Sequence, residues 1–110
     1  MSLATPKQLY AAALGATTTT TLYTVPASTT TLVTSIILCN TDSVARTVTM
    51  QWGTGTAAGN RFLSAKSVNP GETVLIEFSK PVVLNTTETI SGGASAAAVV
   101  SCTISGVEVV

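Results

Sequence analysis

The side chains best suited to acid–base, nucleophilic or metal chemistry are few: Asp42, Glu72, Glu77, Glu88, Glu108, Cys39 and Cys102, with no histidine anywhere in the 110 residues. Without imidazole, the serine triad and most catalytic zinc sites are excluded. A pair of carboxylates could still hydrolyse a glycoside, but the placement of the acids argues otherwise. Asp42 and Glu72 fall in turn sequences and Glu77 alternates with the apolar Ile76 and Phe78, so the acids read as solvated or ion-paired surface groups. The two cysteines show no metal-binding spacing. Each sits in an apolar run, Ile36-Ile37-Leu38-Cys39 and Val99-Val100-Ser101-Cys102, where a reduced thiol behaves as a small core hydrophobe. No phosphate-cradling glycine loop, dinucleotide fingerprint or EF-hand loop is present, and no catalytic residue, metal or cofactor is expected. Asn85-Thr86-Thr87 matches a glycosylation sequon, which carries little meaning without a secretory signal.

The elements around these residues have the punctuation of an antiparallel β protein, with Thr-, Val-, Ile- and Leu-rich runs between short Gly, Pro, Asn and Ser clusters. Strands are expected over Lys7–Leu14 and Thr18–Val25, although the alanines of Gln8–Leu14 also suit a short helix. Val25-Pro26 ends the second strand. Thr31–Asn40 is apolar on both faces, Leu32/Ile36/Leu38 and Val33/Ile37/Cys39, and is expected to be central and covered on both sides. Arg46–Trp52 alternates Val48, Met50 and Trp52 with a polar face of Thr47, Thr49 and Gln51. Gly53–Asn60 reads as the most mobile loop. Arg61–Ala65, Thr73–Phe78, Pro81–Leu84, Glu88–Ser91, Ala97–Ser105 and Val107–Val110 follow, with a type II turn at Pro70-Gly71. Eight or so short strands indicate an all-β, two-sheet antiparallel sandwich with a jelly-roll or immunoglobulin-like order. Residues 17–110 form its body, and 1–16 an N-terminal arm or first strand. The threonine runs 17–21 and 29–31 lack the fixed period of a solenoid.

Composition narrows the partners. Charged residues are 9% of the chain, five basic against five acidic, while hydrophobic residues are 45% and 21 residues are threonine. No field exists to attract nucleic acid or anionic lipid, and neither nucleic acid nor membrane is expected as a partner. Leu9–Ala16 faintly imitates a signal peptide, but the apolar core is short and lacks a basic leader. No segment reaches the roughly 18 apolar residues of a membrane helix. A neutral, hydroxyl-rich chain lacks the repulsion that keeps monomers apart, so a homo-oligomer is expected, a trimer favoured. Its contacts are assigned to Leu9, Tyr10, Leu14, Tyr23 and Val33, and the segment 2–16 is expected to pair with a neighbouring subunit.

Five segments carry a resemblance: Leu22-Tyr23-Thr24-Val25-Pro26-Ala27, Ser35-Ile36-Ile37-Leu38-Cys39-Asn40-Thr41, Asn60-Arg61-Phe62-Leu63, Pro70-Gly71-Glu72-Thr73 and Ile104-Ser105-Gly106-Val107-Glu108. Together they resemble small virion proteins of tailed bacteriophages, nearly end to end. The sequence departs from that pattern at Thr87, where the family's turn has glycine; a different turn geometry or a strained residue is expected there. The resemblance implies a non-enzymatic virion protein of head decoration, neck, tail or fibre, made in the host cytoplasm and contacting itself and other virion proteins. A carbohydrate-binding module or adhesin at a tail tip is the alternative, with Trp52 as its one attractive stacking platform. A secreted pilus-like subunit would need a signal sequence and a Cys39–Cys102 bridge.

Overall fold

The computed structural model describes residues 3–55 and 58–110. Of the segments named above, residues 1 and 2 of the arm and 56 and 57 of the Gly53–Asn60 loop lie outside the described residues. Among the described residues, eight strands follow one another: β1 (Ala4–Ala13), β2 (Thr21–Thr24), β3 (Thr30–Asn40), β4 (Arg46–Gly53), β5 (Arg61–Val68), β6 (Thr73–Leu84), β7 (Thr89–Ala94) and β8 (Val100–Val109), with one 3-10 turn at Ala58–Asn60. They make two four-stranded sheets, ordered β1-β8-β3-β6 and β2-β7-β4-β5, and every pairing is antiparallel.

The order has a simple logic. β4 pairs with β5, β3 with β6, β2 with β7 and β1 with β8, so the chain is a long two-ply ribbon wrapped around a core. Contacts of β3 with β8 and β4 with β7 close the two sheets. That winding is a jelly roll, not the immunoglobulin order. Gln8–Ala13 lies within a strand, the ladder to β8 overriding the helical preference of its alanines.

The inward side chains, among them Leu14, Val33, Ile36, Leu38, Val48, Met50, Ile90 and Ile104, are fully buried. In β3 they do not alternate as a plain period of two. Thr34 is an extra residue between the pairs Val33↔Gly106 and Ser35↔Ser105, and its hydroxyl donates to the Ser105 carbonyl at 3.0 Å. This bulge moves the inward set from Thr31 and Val33 to Ile36, Leu38 and Asn40, because one inserted residue reverses which side chains face the core. Each predicted face of β3 is thereby split between the two sides of the sheet. Neighbouring strands carry register shifts at the same level, at Leu9 in β1 and over Phe78–Pro81 in β6. There Gly106 sits so close to its neighbours that a Cβ would lie 2.4 Å from the Leu32 carbonyl oxygen and 2.9 Å from Leu9 Cδ1. The missing side chain at Gly106 is the seat for Leu9.

Candidate interaction surface

The two outer faces of the sandwich differ. On the β2-β7-β4-β5 sheet, the crossing from β1 to β2 lies over the middle of the sheet. Gln51, which the sequence assigns to a solvated polar face, is fully buried and donates to the Thr18 carbonyl at 2.6 Å and to Ser91 Oγ at 2.9 Å. A Cβ at Gly93 would lie 2.3 Å from the Thr17 carbonyl oxygen, and Ala94 donates to Gly15. The chain roofs this face with its own residues, and the amide of Gln51 serves as the pin.

Among the described residues, none roofs the β1-β8-β3-β6 sheet in this way. Its registers place Leu32 beside Val83 and Val107, and Ile37 beside Leu75 and Thr103, with Cys39 next to Ser101 and Thr73. All of these point away from the core, because their strand neighbours Val33, Ile36, Leu38 and Ile104 point into it. Leu75 and Val83 are each 55% exposed and Ile37 39%. Among the outward positions paired in this sheet, Glu77, opposite Ser35 on β6, is the one charged residue.

Four of the side chains assigned to assembly lie elsewhere. Leu9, Leu14, Tyr23 and Val33 are buried in the subunit's own core, so their burial is already satisfied without a neighbour. Tyr10 is half-buried and its hydroxyl donates to the Ala13 carbonyl at 3.3 Å. Segment 4–13 is the edge strand of its own sheet. Tyr23 instead joins the two sheets: its hydroxyl lies 2.8 Å from Thr31 Oγ1 and donates to Glu108 at 2.5 Å, and Glu108 also receives Lys7 at 3.3 Å. Burial, then the bond to Glu108, pushes the Tyr23 phenol up to about 12.

Trp52 does not present a free ring. Phe62 stacks on it at 3.8 Å between centroids and 15° between planes, and Phe78 leans against it at 5.8 Å. The three close one end of the sandwich between the sheets, since Trp52 continues the inward row of Val48 and Met50.

The carboxylates are mostly engaged in holding turns. Asp42 takes Arg46 at 2.6 Å, which holds its carboxyl below the usual range; Glu72 and Glu88 each accept the backbone N–H three residues earlier. The thiols are free and stand on opposite faces of one sheet: Cys102 is buried in the core while Cys39, half-buried, points outward. The bulge at Thr34 puts Cys39 outside, contrary to the core position its apolar run suggests. Burial pushes the Cys102 thiol up to about 12.

The eight-stranded jelly roll defines the class of the fold. No family model and no curated protein matches the chain. Among solved structures, it is similar over 98% of its length to part of a chain in the T13 particle of infectious bursal disease virus, with a TM-score of 0.60 at 9% identity, and covers 30% of that chain. It is similar in the same way to a chain of the Gx strain of that virus, with a TM-score of 0.51 at 13% identity, covering 98% of this chain and 31% of that one. The chain thus spans less than a third of the length of either, and at these identities the likeness is one of fold.

Proposed function

We propose that the protein is a non-enzymatic structural component of a virus particle, of the tailed-bacteriophage kind, working through protein–protein contacts with copies of itself and with other virion proteins. The observation that carries this reading is the unroofed outer face of the β1-β8-β3-β6 sheet, where Ile37, Leu75 and Val83 lie exposed with a single carboxylate among the paired outward residues. Such a face favours a protein partner over an ionic or sugar ligand. The likeness in fold to chains of a virus particle and the five sequence segments support the same role. The sugar-binding alternative gains no support from Trp52, whose ring face is occupied by Phe62.

The test is to raise an antibody or fusion label against the protein and look for it in purified particles by electron microscopy. Density for the domain at a repeated position on head, neck, tail or fibre is the expected result. Its absence from particles of infected cells that produce the protein would remove the virion role. Three-fold closure, expected from the sequence, is read from the same density.

A further inference from the structure

We propose that the outer face of the β1-β8-β3-β6 sheet packs against the same face of a second copy of this chain, in an isologous, two-fold contact. This deepens the assembly reading above and takes from it only that copies associate.

Three observations select a second copy and this mode of contact. First, the edges of the sheet are guarded. The outer strand β1 carries Pro6-Lys7 and the outer strand β6 carries Lys80-Pro81, and β6 breaks its register over those residues. Proline withholds a ladder donor and lysine resists the approach of another strand, so growth of the sheet by edge pairing is disfavoured. The face has no equivalent guard.

Second, the face is complementary to itself in charge. A partner bringing ions to Leu32, Ile37, Leu75 and Val83 would strip the hydration of those ions without repayment, whereas a second copy brings a face whose one charge among the paired outward positions is Glu77. Glu77 stands on the edge strand between Leu75 and Val83, and in a face-to-face pair its carboxylate keeps its hydration by reaching past that strand to the outer margin of the contact. The chain's zero net charge adds no repulsion between copies.

Third, the area is sufficient. Four strands spaced by about 4.8 Å and some ten paired residues rising about 3.4 Å each give on the order of 650 Å² of face per copy. A pair then buries about 1,300 Å², within the lower range of stable interfaces. Two identical twisted sheets stack at about −30°, and a two-fold axis relates them without strain.

Cys39 is a built-in reporter, since it lies on this face while Cys102 is buried beneath it. The experiment measures sedimentation and the labelling rate of Cys39 by a thiol reagent across protein concentration, for wild type and for Leu75→Glu and Val83→Glu, each variant first shown by circular dichroism to be folded. Both substitutions are at exposed sites, so the fold survives at least one of them. Even-numbered oligomers are expected, dimers or hexamers, with Cys39 labelling slowed about tenfold where nine-tenths of the chains are paired, since only the unpaired fraction reacts. The folded variants are expected to be monomers, or trimers where a separate three-fold contact operates, with Cys39 equally reactive at all concentrations. A wild-type monomer at high micromolar concentration, a wild-type trimer with fully reactive Cys39, or a folded variant that still forms the even-numbered oligomer would each overturn the proposal. The trimer result would leave the virion role standing, and absence from particles would remove that role without touching this contact.

Discussion

Gly71 and Thr87 occupy the same position in two turns of the same construction, and only one of them is a glycine. In Asn69-Pro70-Gly71-Glu72 and Asn85-Thr86-Thr87-Glu88, the fourth residue donates to the first carbonyl at 3.0 Å in both turns. The glutamate side chain accepts the first residue's N–H at 2.8 Å and 2.6 Å, and the third residue has φ of 72° and 68°. Each turn also clasps a strand end, Gly71 and Glu72 on Asn40, Thr87 and Glu88 on Val25.

A β-branched residue held at positive φ costs about 1–2 kcal/mol, of which the added chain entropy of glycine would return part. Thr87→Gly is therefore expected to stabilise the domain by roughly 1 kcal/mol, and Gly71→Thr to destabilise it by about as much or more. Urea unfolding of both variants checks the pair; a Thr87→Gly protein no more stable than wild type would show that the turn holds its shape without strain.

The departure at Thr87 was visible in the sequence because the turn's other residues were. So were the all-β class, the two sheets and the Pro70-Gly71 turn, each written in local chemistry. What was hidden depended on contacts between distant residues. Thr73–Phe78 and Pro81–Leu84 look like two strands and are one, β6, interrupted in register. Ala97–Ser105 and Val107–Val110 look separate because Gly106 resembles a break, yet it is a strand residue kept bare to admit Leu9 and the Leu32 carbonyl. Thr34 gives no sign that it is a bulge, so the faces of β3 could not be assigned, nor could Cys39 be placed outside. Gln51 looks solvated until the crossing at Thr18 is laid over it.

Gly106 should accept no side chain. Its Cβ would meet backbone at 2.4 Å, a carbonyl that cannot move without breaking the β3–β8 ladder. Gly106→Ala is expected to cost several kcal/mol, about 3 or more, as an overpacked core site does. Thermal unfolding measures this, and a Tm within a few degrees of wild type would mean the sheets slide apart easily at that level.

Alkaline pH is expected to unfold the protein through two groups. The Cys102 thiol is raised from 9.0 and the Tyr23 phenol from 10.0, each to about 12. Both hold their protons more tightly in the folded state, so their contribution is fully present below the unfolded values and is lost as pH climbs from about 9 to about 12. Stability against urea should fall across that window, and Tyr23→Phe and Cys102→Ala should each make the fall shallower. Cys39 is expected to label in the native protein and Cys102 only on unfolding. A slope unchanged in both variants would mean that other groups govern the alkaline limb.

The role of the N-terminal strand divides between edge and anchor. Most of β1 is exposed, with Leu9 its one buried side chain and Leu14 just beyond its end. Its backbone pairs with β8 from Ala4↔Val109 to Ala13↔Ser101, and Lys7 is the cation of the Tyr23–Glu108 cluster. Removing 4–13 would strip the ladder from β8, empty the seat over Gly106 and leave Glu108 bonded to Tyr23 without its lysine. Leu9→Ala alone is expected to cost about 2–3 kcal/mol for lost burial and cavity. Lys7→Ala, at an exposed end of the same cluster, should cost within about 1 kcal/mol. Deletion of 4–13 should lower stability by more than Leu9→Ala does, with early loss of hydrogen-exchange protection in β8. If the truncated protein is as stable as wild type, β1 contributes nothing to its own subunit and is free to serve a neighbour, as the sequence suggested.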